Sequence, residues 1–344
     1  MRCEITIGHI CVKKGNREKK RIYKGSERGE IMLMKTKKHQ VKLAYNFEED
    51  LDGYILVDSS IGPRGEICIL AVNKVPEYID GMFPPVQTAD GHDYKAIILS
   101  KGHKKEVILK NQKWNYHFIQ PMENDRIVLV CARSHLYENG VFDRNARVFD
   151  MSGNQVNAFL LGDGIQNFYV TKGKNIWTSY FDEGIFGNNG WNQPIGSYGL
   201  RAWDSDGNGQ YKYPNMDPHF ISDCYALNVM SDDEVWFYYY TDFEVARYYK
   251  GSIDYFKPNI EGSDGFIVYE DYVLFRGGYS KHDKYTLTKM FPGNRLTRKC
   301  VLTLMDEKKK AIKAESISCR GSLLLLMTEK KAYLADLKDI IRAL

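Results

Sequence analysis

No stretch of this 344-residue chain approaches eighteen consecutive apolar residues, so no helical membrane span is expected. Its opening residues, Met1-Arg2-Cys3-Glu4-Ile5, lack the charged start, apolar run and small-residue cleavage site of a secretory signal. The seven cysteines (3, 11, 68, 131, 224, 300 and 319) are scattered and contain no CxxC pair, which argues against a disulfide framework or a zinc knuckle. Several lie inside apolar runs, such as Cys131 within Ile127–Ala132, and read as buried thiols of a reducing compartment. A cytoplasmic protein with no membrane partner is the expectation. GxSxG, GxxxxGK[ST] and GxGxxG are absent, against serine-hydrolase, P-loop and dinucleotide chemistry. The eight histidines form no HExxH or HxH pair; His117 and His219 lie near strand starts and read as structural.

What is present points to strands. The chain is 43% hydrophobic and 27% charged, as suits a large soluble core, with 24 tyrosines and 29 glycines favouring strands and tight turns over helices. The net charge of +4 conceals an asymmetry: residues 1–42 hold thirteen Lys/Arg against four Glu, a balance of +9, leaving −5 for the rest. Such a strip suits a nucleic-acid or acidic partner, but no aromatic interleaving or nucleic-acid signature accompanies it. A lysine-protected edge strand is the preferred reading, and a nucleic-acid partner is not expected.

An internal repeat organises the chain. Strongly apolar strands begin near residues 67, 127, 176, 235, 272 and 323, each preceded by a shorter apolar strand across a tight turn. Polar hairpins follow several of them, as where Arg147–Asp150 turns at Ser152-Gly153-Asn154 into Val156–Phe159. The strong strands are apolar on both faces. Val235, Phe237 and Tyr239 alternate with Trp236, Tyr238 and Tyr240, a pattern that requires cover on both sides. Sheets stacked radially supply that cover. The expectation is all-β: one β-propeller domain over 1–344, with six four-stranded antiparallel blades closed by N- and C-terminal strands. Beyond the last strong strand only Ala332–Asp336 remains, so the missing outer strand would come from the basic N-terminal region 1–45, at Gln40–Tyr45.

The run Arg147–Asp150, Gly153, Gly164-Ile165, Val170, Ile176-Trp177 and Asp182-Glu183-Gly184 resembles the blade consensus of six-bladed NHL and gluconolactonase-like propellers. Ile176–Asn188, Ser197–Asp204 and Asp223–Val229 also resemble an uncharacterised bacterial propeller family. The likeness spans roughly residues 110–260. It supports the fold and brings no activity with it, because such propellers host unrelated functions.

Strand ends locate the candidate site. The strong strands run out at Arg133, Asp182-Glu183 and Thr241-Asp242, and the incoming first strands start near Asp163, Asp223 and Asp264. These residues should ring one mouth of the channel. The long loop 182–198 adds glycines, amides and exposed-looking aromatics, among them Trp191. The preferred function is a non-enzymatic scaffold binding a protein, peptide or glycan through Arg133, Asp182, Glu183, Trp191, Asp223 and Asp242, with no cofactor. The alternative is a metal-assisted lactonase or esterase in which Asp182, Glu183, Asp223 and Asp242 hold a divalent ion. The Glu…Asn…Asp metal set that the gluconolactonase resemblance implies has no clear counterpart. Asp204–Gly209 matches the first half of a calcium loop, but the twelfth position is Asn215 behind Pro214, so a hairpin turn is expected.

Overall fold

The computed structural model describes residues 36–77, 84–279 and 281–344. Most of the basic strip, with Cys3 and Cys11, lies outside them. Strands β1 (Thr36–Gln40) and β2 (Lys42–Asn46) precede the first complete blade, β3 (Ile55–Ile61), β4 (Ile67–Val72), β5 (Gln87–Ser100) and β6 (His103–Trp114). The second blade is β7 (Phe118–Met122), β8 (Arg126–Val130), β9 (Ala146–Asp150) and β10 (Gln155–Phe159). The third is β11 (Ile165–Val170), β12 (Ile176–Tyr180), β13 (Leu200–Trp203) and β14 (Gly209–Lys212). The fourth is β15 (Asp223–Val229), β16 (Glu234–Tyr240), β17 (Glu244–Tyr249) and β18 (Ser252–Phe256). The fifth is β19 (Phe266–Tyr269), β20 (Tyr272–Arg276), β21 (Tyr285–Phe291) and β22 (Arg295–Met305). The sixth comprises β23 (Ser316–Arg320), β24 (Leu323–Thr328) and β25 (Lys331–Asp336), completed by β2. The protein is a six-bladed propeller of antiparallel sheets.

The doubly apolar strands behave as radial stacking requires. On β16, Val235, Phe237 and Tyr239 join the apolar cluster shared with the third blade. The opposite face, Trp236 and Tyr238, joins the cluster shared with the fifth. One strand thus feeds two inter-blade cores, and each fully buried large side chain contributes roughly 1.5–3 kcal/mol relative to exposure. Only Tyr240, at the end of the strand, departs from the expected burial, being 40% exposed.

The ring closes at Lys42–Asn46, one or two residues from the expected position, in antiparallel register with β25 (Lys42↔Leu334, Asn46↔Lys331). The sequence did not reveal that β1 would add a fifth strand to the fifth blade, pairing parallel to β22 from Thr36↔Val301 to Gln40↔Met305. Val41 joins the two strands: it is buried, and its N–H donates to Met305 O at 2.8 Å. The segment therefore staples the fifth blade to the sixth and protects both outer edges.

At the end of the channel where the inner strands finish, Arg320 of β23 reaches across the axis. Its Nε donates to Ile61 O at 2.8 Å, and Nη2 donates to Gln120 Oε1 at 3.0 Å and Val170 O at 3.1 Å. Nη1 makes a longer contact of 3.5 Å to Val229 O, and the guanidinium lies 5.0 Å from the Tyr169 ring. Asn228 completes the floor: its Nδ2 donates to Phe266 O at 3.1 Å and Gly321 O at 2.9 Å. Two side chains thus tie all six inner strands together.

The Asp204–Gly209 segment is a hairpin turn, as expected. Asp204 Oδ1 accepts from Asp206 N and Asn208 N, both at 2.9 Å, so its carboxylate serves its own backbone. Asp150 and Asp306 close their hairpins in the same way. Among the described residues the five cysteines are free and buried, and no helix is long and apolar enough to cross a membrane.

Candidate functional site

The rim opposite Arg320, called the upper rim below, gathers the loops leaving each second strand and entering each inner strand. Arg133, just beyond β8, makes a bidentate pair with Asp163, Nε to Oδ1 at 2.9 Å and Nη2 to Oδ2 at 3.0 Å. Its Nη1 donates to Glu183 Oε2. Asp163 also accepts from Ser134 N at 2.8 Å and Asn189 Nδ2 at 3.1 Å, and Glu183 accepts from Asn188 Nδ2 at 2.7 Å. Arg133 and Glu183 are therefore brought together, but their charges are spent on joining the second blade to the third.

The 182–198 loop is correspondingly fixed. It opens with the short helix α1 (Asp182–Phe186) and ends in a 3-10 turn at Ile195–Tyr198. Glycine permits the seating of α1: Gly164, at φ +72°, lies so close to Gly184 that a Cβ on either would collide with the other's backbone. Trp191 corrects an expectation. Rather than an exposed contact residue, it is a buried anchor, 9% exposed, whose Nε1 donates to Ser134 O at 2.8 Å. A buried indole N–H is costly to leave unpaired, and the second-blade loop supplies the acceptor. The exposed aromatic of the loop is Phe186, at 64%.

A second group lies around β15. Asp223 opens the strand against α1, and burial together with the neighbouring Asp182 carboxylate pushes its carboxyl up to about 7. Beside it is an aromatic cluster. Tyr225 stacks on Tyr240 (centroids 6.3 Å apart, planes at 13°) and meets Tyr279 edge-on at 6.4 Å. The Tyr225 and Tyr279 hydroxyls are 3.2 Å apart, and Phe243 lies 5.4 Å from Tyr240. Tyr240 and Tyr279 are 40% and 51% exposed, and Phe186 rests against Phe220 at 6.2 Å. Asp242 is exposed in the turn between Tyr240 and Phe243.

Sequence reasoning placed the carboxylates and missed the tyrosines. The signal was an aromatic at the last position of an otherwise buried strand, Tyr240, with another two residues into an inner strand, Tyr225. Among the described residues, no three His, Cys, Asp or Glu side chains are grouped as a metal site would require. His117 is structural, as read: its Nδ1 accepts from Ala132 N at 3.2 Å, and burial pushes it down to about 4.

A family model described as the YxzG family matches residues 209–335, a span covering the fourth and fifth blades and most of the sixth. No curated protein matches. Among solved structures, a PQQ-bound aldose sugar dehydrogenase from Streptomyces coelicolor aligns at 10% identity and TM-score 0.45, over 86% of this chain and 97% of that one. A gluconolactonase from Xanthomonas campestris aligns at 10% identity and TM-score 0.37, over 82% and 97%. YCF48 bound to D1 peptide aligns at 11% identity and TM-score 0.43, over 83% and 93%. At these identities the likeness extends to the fold alone.

Proposed function

We propose that this propeller is a non-enzymatic scaffold whose upper rim binds a protein or peptide partner through a cationic side chain. The observation that carries the reading is the juxtaposition of the Asp182–Asp223 pair with Tyr225, Tyr240 and Tyr279. Two carboxyls held close repel one another once both ionise, and an ammonium or guanidinium between them relieves that repulsion. Tyrosine faces add cation–π attraction of about 0.5–2 kcal/mol each, depending on desolvation. Phe186 beside Phe220 offers a neighbouring apolar patch for the partner's adjoining residue. The fixed 182–198 loop supports this role, since a rigid rim loses little entropy on binding.

Selection of a randomised peptide display library on the immobilised propeller tests the proposal. Enrichment of Lys or Arg, lost for Asp182→Asn/Asp223→Asn and for Tyr240→Ala, is expected. Peptides without basic enrichment, or basic peptides indifferent to all three changes, overturn it. Selective binding on a glycan array instead would assign the rim to sugars.

The metal-assisted hydrolase alternative needs Asp182, Glu183, Asp223 and Asp242 to act together. Glu183 is engaged by Arg133, and no grouping of metal-ligating side chains among the described residues favours that alternative.

A further inference from the structure

Outside the upper-rim site, the fourth blade carries a second constellation. Glu244, at the start of β17, is buried, its side chain only 4% exposed. Its Oε2 accepts from Tyr239 OH and from His219 Nδ1, each at 2.7 Å, and Lys257 Nζ lies 3.4 Å from Oε1. Burial is the largest influence on this carboxyl and raises it, but the bonds from Tyr239 and His219 and the charges of His219 and Lys257 outweigh it, so the group sits below its ordinary value. The His219 ring lies flat on Tyr255, with centroids 3.4 Å apart and planes at 5°. Tyr213 OH donates to the His219 carbonyl at 2.7 Å and lies 3.1 Å from Tyr255 OH. The imidazole is thus held on one face, at one nitrogen and through its backbone.

The tautomer follows from the partner. Glu244 is a carboxylate and can only accept, so Nδ1 carries a proton. Nε2 receives no hydrogen bond among the described residues. His219, Glu244, Tyr255 and Lys257 line an open cleft of about 560 Å³ that continues to Asn294 and Arg295 of the fifth blade. Around it the titratable and charged groups are Tyr213, Tyr239, Glu244, Tyr255, Lys257 and Arg295. Two permanent cations therefore face one carboxylate already committed to the histidine, and the cleft carries surplus positive charge.

We propose that this cleft between the fourth and fifth blades binds the phosphate group of a small molecule, with His219 Nε2, Lys257 and Arg295 as its donors. With the imidazolium counted, three cations face one carboxylate, a surplus that a phosphate dianion neutralises and a monocarboxylate leaves half uncompensated. Donation from Nε2 requires the imidazolium form, since Nδ1 is already committed to Glu244. The site is independent of the upper-rim reading.

Calorimetric titration with inorganic phosphate tests this, with acetate in a parallel arm. Saturable phosphate binding, and weaker binding of acetate, is expected. Arg295→Ala, at an exposed position, should weaken phosphate by about tenfold without altering thermal stability. His219→Asn should weaken phosphate binding, and Asp182→Asn/Asp223→Asn should leave it intact. No saturable phosphate binding to the unaltered protein, equal affinity for acetate, or binding indifferent to both Arg295→Ala and His219→Asn overturns the proposal.

Discussion

Replacing Arg320 with Met tests how the ring of blades is held at its centre. Methionine fills much of the same volume but donates nothing, so Ile61 O, Gln120 Oε1 and Val170 O lose their donor, as does the weaker acceptor Val229 O. Three well-formed bonds from a charged donor contribute about 1.5–3 kcal/mol each. Against this stands the cost of burying the guanidinium. Burial pushes Arg320 down to about 10, well below the usual guanidinium value, a penalty of roughly 3 kcal/mol that the methionine variant escapes. The expected net loss is about 2–5 kcal/mol, in line with breaking a buried charged network. With unfolding entropy near 2.1 cal/mol/K per residue, that loss lowers Tm by about 3–7 °C. Thermal unfolding followed by far-ultraviolet circular dichroism and tryptophan fluorescence measures it. A variant as stable as the parent, or more stable, would show that strand packing alone closes the ring and that the guanidinium–carbonyl fan contributes nothing net.

Two further outcomes follow from the upper rim. The Asp223 carboxyl lies at about 7 in the fold against 3.8 unfolded; the stability it contributes is complete below the unfolded value and lost as pH rises through the folded one. The protein should therefore weaken on the order of 2–4 kcal/mol across that window, and Asp223→Asn should flatten the dependence, with Asp58, also near 7, supplying the remainder. Urea midpoints at roughly pH 5 and pH 8 measure this, and identical slopes for parent and variant would refute the assignment. Trp191→Ala should cost about 3–5 kcal/mol and Trp191→Phe about 1–2, because the first leaves a cavity and the second only an unpaired Ser134 carbonyl; thermal melts with no loss for either would return Trp191 to the role of an exposed contact.

The propeller was legible because its cause is local. A strand such as β16, apolar on both faces, admits few architectures, and six of them at blade-like spacing leave the propeller. The closing strand followed from arithmetic, a blade one strand short at the C-terminus and a spare strand near the N-terminus. β1 was not legible, since Thr36–Gln40 pairs parallel with β22 and its lysines read equally well as a solvated edge. Site residues divide along the same line. Arg133, Asp182, Glu183, Asp223 and Asp242 sit at strand ends, where position alone assigns them to the rim. Which of them are spent depends on partners distant in sequence. Glu183 meets Arg133 across fifty residues, and Trp191 meets Ser134 across fifty-seven. Nothing in a tryptophan among glycines and asparagines says which way its ring turns. Arg320 and the His219–Glu244 pair were missed for the same reason: each residue is ordinary in its own stretch, and only the ring brings its partners to it.

Arg320 and Asn228 tie the six inner strands together on the side away from the rim carboxylates. A cationic group arriving between Asp182 and Asp223 meets a carboxyl that burial keeps partly protonated near neutral pH, and its arrival favours the ionised form. Binding at the rim therefore releases protons, which a buffer-dependence measurement reads as heat.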